Sequence, residues 1–252
     1  MGFSNKLMGK IKPASGFAHI LHQGLVILLP IMVFVFVRVN FVQLAIIIIV
    51  LSKWRMIAVR PRYWPANIRA NAIDLIVGLS FLVFMIQSGS MAWQLVWTIA
   101  YGVWLLVIKP TSAVLMVSLQ AGIGQLLGLM ALFLTWPSAP LSGLVLGSGG
   151  ICYLAARHYF DSFDEPYNKF LSYLWGYFGA ALVWVLGHWL LFYGVIAQPT
   201  LLLLVLGYGL GALYYLDHRD RLSLLLKREF IFIMVAIVVV VLAFSHWGNK
   251  IV

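Results

Sequence analysis

Long uninterrupted runs of apolar residues, separated by short polar turns, repeat along the whole chain. Polar residues do not alternate with apolar ones inside these runs, as they do in a membrane β-barrel. A helix of roughly 20 apolar residues, with about 17 as a lower bound, crosses a bilayer core. The pattern therefore predicts an all-α, polytopic transmembrane bundle of about nine spans. The predicted spans are Phe17–Val37, Phe41–Ser52, Ala72–Gln87, Met91–Ile108, Ser112–Trp136, Leu141–Ala156, Phe170–Ala197, Thr200–Leu216 and Phe230–Trp247.

The second apolar run, Phe41–Ser52, is short for a membrane span. It reaches an adequate length near Val59 if Lys53 and Arg55 extend their charged ends to the interface. Alternatively, the first two runs form a re-entrant hairpin that turns at Arg38–Asn40, which leaves seven spans. Every later loop stays on the same side of the membrane whether or not this pair of spans is counted. We expect nine spans because re-entrant segments are rarer.

Composition supports a membrane protein. Hydrophobic residues make up 63% of the 252 residues and charged residues 10%, with a mean hydropathy of +1.00. Soluble domains carry about 25% charged residues. We therefore expect residues 1–252 to form a single integral membrane domain, in which 1–16 is a basic cytoplasmic segment. The single cysteine, Cys152, excludes an intrachain disulfide and a cysteine metal cluster.

Basic residues are distributed unevenly between the two sides of the predicted bundle. Among 17 Lys and Arg residues, only Arg38 and Lys250 fall outside when the sides of nine spans alternate. Basic residues are retained in the cytoplasm, so the N-terminus is predicted inside and the C-terminus outside a bacterial-type cytoplasmic membrane. The net charge of +10 is thus a topology signal, and no nucleic-acid partner is expected. The basic residues predicted inside are Lys6, Lys10, Lys12, Lys53, Arg55, Arg60, Arg62, Arg69, Lys109, Arg157, Lys169, Arg219, Arg221, Lys227 and Arg228.

Three spans carry glycine pairs four residues apart. Small residues at this spacing let two membrane helices approach closely. We expect these glycines to pack helices, and the alternative is a hinge or backbone exposed to substrate. Expected partners are the lipid bilayer and either other membrane proteins or a second copy of the chain. The pairs are Gly124 with Gly128, Gly143 with Gly147, and Gly207 with Gly211.

A few polar residues lie within the predicted spans, where such groups are costly and often functional. Asn71 and Asp74 lie near the inner end of the third span, Gln120 and Gln125 in the fifth, and His188 in the seventh. As a set they are candidates for a substrate path. The alternatives are an ion pair between Asp74 and a base of its own loop, and hydrogen bonds between helices for the others.

The densest group of ionisable residues follows the sixth and eighth spans. Carboxylates at this density can bind a hard cation such as Mg²⁺, which in turn binds phosphate oxygens. This predicts a catalytic site for a phosphate-bearing lipid, and Mg²⁺ is expected only for that enzyme. The alternative is a solvated loop whose acids pair with neighbouring bases. The candidate catalytic residues are His158, Asp161, Asp164, Glu165, Asp217 and Asp220.

Three functions fit this pattern. The first is transport or permeation of a small or lipid-like molecule, which short loops and polar residues within the spans favour. The second is an enzyme at the inner leaflet. The third is a scaffold subunit of a membrane complex, with which the glycine faces are compatible.

Overall fold

The computed structural model describes residues 17–135, 139–163, 165–188, 192–193 and 196–245. Nine α-helices occur in this described part, and one overlaps each predicted apolar run, which confirms the all-α class. Short antiparallel strands β1 (Phe192–Tyr193) and β2 (Ile196–Ala197) precede the eighth helix. The helices are α1 Phe17–Arg38, α2 Val42–Leu51, α3 Trp64–Gln87, α4 Met91–Val103, α5 Val114–Thr135, α6 Leu141–Asp161, α7 Asn168–Gly187, α8 Gln198–His218 and α9 Leu224–Phe244.

Five helical segments of the described part are long and apolar enough to cross a membrane. Nine crossings are therefore not established by length and composition. Helices α6 and α9 have 21 residues each, but α6 is rich in glycine and serine, and α9 includes Lys227, Arg228 and Glu229. The five segments are Pro61–Gln87, Met91–Ile108, Val114–Thr135, Asn168–Gly187 and Gln198–His218.

Helices α1 and α2 form a hairpin of unequal legs. Asn40 adopts a positive φ of 60° at the turn, where the Phe41 amide donates to the Phe36 carbonyl at 2.8 Å. Helix α2 has ten residues, or about 15 Å at 1.5 Å per residue. Contrary to the expectation of a span that reaches Val59, this helix ends at Leu51. The Ser52 hydroxyl donates to the Ile49 carbonyl at 2.6 Å at that end.

Two groups of buried apolar side chains meet at α5. The first joins α1 to α4 with one side of α5, and its fully buried members include Val33, Val77 and Met85. The second joins α5 to α6, α7 and α8 around Leu129 and Leu144. Helix α5 thus links the two halves of the bundle.

Glycines allow the close helix contacts around α5. A Cβ on Gly124 would lie 2.9 Å from Ile73 of α3, and one on Gly128 would lie 2.6 Å from Ile76 of the same helix. A Cβ on Gly147 would lie 3.1 Å from Leu132 of α5. These three glycines therefore pack helices within the chain.

The other three predicted glycines differ in which residues lie near them. A Cβ on Gly207 would lie 3.0 Å from the ring of Trp175 in α7. Gly211 has Tyr159 at 3.6 Å, and its carbonyl accepts the Tyr159 hydroxyl at 2.6 Å. Within 4 Å, the position of a Cβ on Gly143 meets only Pro140, which precedes the same helix. A close helix contact at Gly143 therefore stays a prediction.

The most extensive contact between described helices joins α6 and α7. A Cβ on Gly176 would lie 3.0 Å from the Gly149 carbonyl oxygen, and one on Gly179 would lie 2.7 Å from the Cys152 sulfur. Backbone therefore contacts backbone, where dispersion stabilises the pair without a hydrophobic driving force. Helix α9 contacts the bundle through α8, where Met234 fills the space beside Gly209.

Candidate functional site

Two lysines converge on one carboxylate at one end of the first half of the bundle. The Asp74 Oδ2 atom lies 2.7 Å from the Lys53 ammonium and 2.9 Å from the Lys109 ammonium. The Trp104 indole donates to Asp74 Oδ1 at 3.3 Å. We call Lys53, Asp74 and Lys109 the lysine–aspartate cluster. Its side chains are 10%, 14% and 38% exposed, respectively.

Three separate parts of the chain position this cluster. Lys53 follows the end of α2, while Asp74 lies ten residues inside α3. A π-helical turn, Trp104–Ile108, extends α4, and the Lys109 amide donates to the Trp104 carbonyl at 2.9 Å. Residues five apart follow one another along the axis in such a wide turn. The turn thus brings both Trp104 and Lys109 to the same carboxylate.

The cluster carries an unbalanced positive charge when both lysines are ionised. Two ammonium groups and one carboxylate sum to +1 in a largely buried place. Burial lowers the pKa of Lys53 to about 8, and the repulsion of Lys109 adds to this, whereas the attraction of Asp74 opposes it. Lys109 is the more exposed lysine, so its ammonium is the one open to a further anion.

Gln120 ties α5 to this end of the bundle. Its amide nitrogen donates to the Ile108 carbonyl at 2.7 Å and the Thr111 carbonyl at 3.0 Å. Its Oε1 lies 3.2 Å from Nε2 of His158. An amide oxygen only accepts, so Nε2 of His158 carries the proton in this contact. The amide is therefore used to join α4, α5 and α6.

The other predicted polar positions also bond within the chain. The Gln125 amide donates to the Leu203 carbonyl at 3.0 Å, and its oxygen accepts the Trp175 indole at 2.9 Å. His188 follows α7, where its Nδ1 lies 2.8 Å from the Trp184 carbonyl oxygen. Gln125 thus joins α5, α7 and α8, as expected of the alternative role.

The two polar residues predicted on α3, Asn71 and Asp74, both have partners within the described part of the chain. The Asn71 amide donates to the Asn67 carbonyl one turn earlier, at 2.9 Å. A Cβ on Gly78 would lie 2.8 Å from the Tyr101 hydroxyl, so this ring packs directly on the helix. Asp74 itself pairs with a base of its own loop, which is Lys53, and with Lys109 from a second loop.

The candidate catalytic acids have local partners. Asp161 accepts a hydrogen bond from Asn168 and lies 3.7 Å from the Arg157 guanidinium, as the i,i+4 spacing suggests. Glu165 accepts the Tyr214 hydroxyl through one oxygen. The Tyr167 backbone amide donates to the other oxygen at 3.3 Å. These contacts join the α6–α7 loop to itself and to α8.

The remaining acids do not complete a metal site in the described part of the chain. Asp217 lies at the exposed end of α8, and Asp220 occupies the following turn with a φ of 52°. Asp164 lies outside the described residues. Across 17–135, 139–163, 165–188 and 196–245, no three His, Cys, Asp or Glu side chains are grouped to hold a metal.

The sequence singled out Asp74, but it did not indicate that Lys53 and Lys109 would both bind its carboxylate. Each lysine directly follows an apolar run, and such positions place ammonium groups at one level of the bundle. It also missed the ring cluster of α6 and α8, in which Phe163 and Tyr214 lie 5.2 Å apart edge to face. Phe163 also lies 5.3 Å from the His218 ring.

No protein-family model matches this chain, and no curated protein or solved structure is significantly similar to it. The geometry of the site therefore carries the functional argument.

Proposed function

We propose that the chain is a polytopic membrane protein that transports a small anionic or lipid-like molecule, with the lysine–aspartate cluster at its cytoplasmic entrance. The N-terminus and the basic loops lie in the cytoplasm in this proposal. The observation that carries it is the pairing of two ammonium groups with one carboxylate.

The charge balance of the cluster favours an anion. A buried charge without a partner costs several kcal/mol, about 3–5 when one member of a buried pair is removed. The cluster has one positive charge in excess, and an anionic group beside Lys109 would neutralise it. The Lys109 side chain is 38% exposed, so an anion can approach without breaking the shorter Lys53–Asp74 contact.

The position of the cluster connects binding to movement. Its three members come from the end of α2, the interior of α3 and the end of α4. An anion that competes with Asp74 for Lys109 would weaken the contact between α3 and the π-helical turn of α4. Substrate binding would thus break the same Lys109–Asp74 contact that holds the entrance together.

The two other functions have less support from the geometry. Asp161 and Glu165 are held by loop contacts, and the described residues group no metal ligands. Gly124, Gly128 and Gly147 are used inside the chain, so these faces are not free for a scaffold partner.

Transport is tested with the full chain reconstituted in phosphatidylcholine vesicles. The probes are radiolabelled inorganic phosphate for a small anion and fluorescent phosphatidic acid for a lipid. Lys109→Gln should reduce movement of the accepted probe about 10- to 100-fold, since a hydrogen bond to a charged group contributes about 1.5–3 kcal/mol. Lys227→Gln, on the exposed start of α9, is the matched control. Rates equal to those of empty vesicles for both probes would refute the proposal.

The orientation is tested separately by reporter fusion. A phosphatase fused after Val252 should be active outside the cytoplasm, because the proposed nine spans place the two ends on opposite sides. An inactive phosphatase with an active cytoplasmic reporter at the same position would show an even number of spans.

A further inference from the structure

A second cationic surface lies beside the cluster, in the segment between α2 and α3 and the first six residues of α3. We call residues 53–69 the basic–aromatic loop. It contains five basic residues and no Asp or Glu, so its charges have no acidic partners within the loop. The basic residues are Lys53, Arg55, Arg60, Arg62 and Arg69.

Internal contacts give this loop a defined shape. Two short 3-10 helices, Trp54–Met56 and Pro61–Tyr63, lead into α3. The Trp64 indole lies within 3.0 Å of both the Ile57 and Val59 carbonyl oxygens and donates to them. Met56 is buried and anchors the loop against the bundle. The loop is therefore a folded surface of the protein.

The outward side of the loop combines cations with exposed rings. Trp54 is 59% exposed and Tyr63 45% exposed. The Arg62 guanidinium lies 4.5 Å from the centre of the Tyr63 ring. Arg60 and Arg69 are exposed as well, whereas Lys53 is held by Asp74. Among the described side chains of this surface, three exposed arginines therefore accompany exposed aromatic rings, and one of them, Arg62, lies beside a ring.

We infer that the basic–aromatic loop binds the phosphate headgroups of anionic phospholipids in the adjacent leaflet. Trp and Tyr rings favour the headgroup level of a membrane. A guanidinium group binds phosphate oxygens through two parallel hydrogen bonds. Arg60, Arg62 and Arg69 supply the charge, and Trp54 and Tyr63 enter between the headgroups. This inference does not depend on transport.

A matched surface of the same protein shows why the lack of acids matters. The turn after α8 also carries two exposed arginines, Arg219 and Arg221. Asp220 lies between the two arginines and Asp217 lies two residues before Arg219, so the local charge is nearly balanced. An anionic headgroup should therefore prefer the basic–aromatic loop.

The test is a titration of fluorescent phosphatidylglycerol into the full chain in neutral detergent at low salt. A basic residue near an anionic surface contributes about fivefold in affinity, so Arg60→Gln/Arg62→Gln should weaken binding roughly 30-fold. Arg219→Gln/Arg221→Gln removes the same charge and should change affinity by less than about twofold. Unlabelled phosphatidylglycerol should compete, whereas phosphatidylcholine should not.

Three results would overturn the inference. One is an Arg60→Gln/Arg62→Gln variant that binds as tightly as the parent chain while retaining its melting temperature. Another is an equal loss of phosphatidylglycerol affinity in both double variants, which would show that only the net charge of the protein matters. The third is competition by inorganic phosphate as strong as that of the lipid, which would assign the surface to a free anion.

Discussion

Removing the charge of Asp74 should destabilise the protein more than removing either a surface charge or Lys109. Asp74→Asn keeps the shape of the side chain but leaves the Lys53 and Lys109 ammonium groups without a carboxylate. The Lys53 side chain is only 10% exposed, so water cannot replace the lost partner.

The size of the effect follows from the burial of each partner. Breaking a buried pair by removing one member costs about 3–5 kcal/mol. Lys109→Met leaves a neutral Lys53–Asp74 pair, and the side chain it removes is 38% exposed. Its expected cost is roughly 0–1 kcal/mol, as for an exposed pair. The two substitutions thus separate charge balance from loss of a contact.

The single cysteine supplies the assay. Cys152 is fully buried between α6 and α7, so a thiol-reactive fluorogenic dye reports its exposure on heating. Melting temperatures change by about 2–4 °C per kcal/mol for a chain of this size. Asp74→Asn should therefore melt roughly 10 °C below the parent chain, and Lys109→Met within about 4 °C of it.

A third variant checks the electrostatic reasoning. Lys53→Met/Asp74→Asn removes both deeply buried charges and lets Lys109 extend into water. Most of the lost stability should return, because coupled positions are not additive. The reasoning is refuted if Asp74→Asn melts like Lys109→Met, or if the double variant is less stable than Asp74→Asn alone.

Three further outcomes concern stability, the first two in the same melting experiments. Gly176→Ala should cost about 1–3 kcal/mol by overpacking α6 against α7, whereas Gly150→Ala, with no atom within 4 Å of its Cβ, should be neutral or slightly stabilising. Gln125→Leu should cost about 1–3 kcal/mol because the Trp175 indole loses its acceptor. The pKa of Lys53 is about 8 when folded and 10.5 as its ordinary value, so the unfolded chain binds more protons between these values. Stability measured by tryptophan fluorescence should therefore rise with pH across that interval, and Lys53→Met should abolish the rise.

Much of the helical layout could be predicted because lipid imposes one strong rule. Backbone groups in hydrocarbon must bond within their own segment, so each long apolar run becomes a helix. The prediction was wrong for the ends of two helices. Helix α7 ends at Gly187 and not at Ala197, and α2 ends at Leu51 and does not reach Val59. A helix of ten residues is set by its turn and its neighbours, which hydropathy does not describe.

The glycine positions show a similar division. Gly124, Gly128 and Gly147 meet neighbouring helices as their spacing suggests. Gly143 has the same spacing but meets only Pro140 within 4 Å of its Cβ position, whereas Gly149 contacts Gly176 of α7 without belonging to a predicted pair. Spacing identifies a smooth helix face, while the partner depends on how the helices are arranged.

The sequence by itself determined the all-α class and the approximate positions of the helices, because these follow from local hydropathy and spacing. It also singled out Asp74 as an unusual charge in an apolar region. Only the tertiary structure decided that Lys53 and Lys109 share this carboxylate, and that Gln120 and Gln125 bond between helices. These contacts join residues from different helices, and their energies depend on distances and burial that no single segment contains.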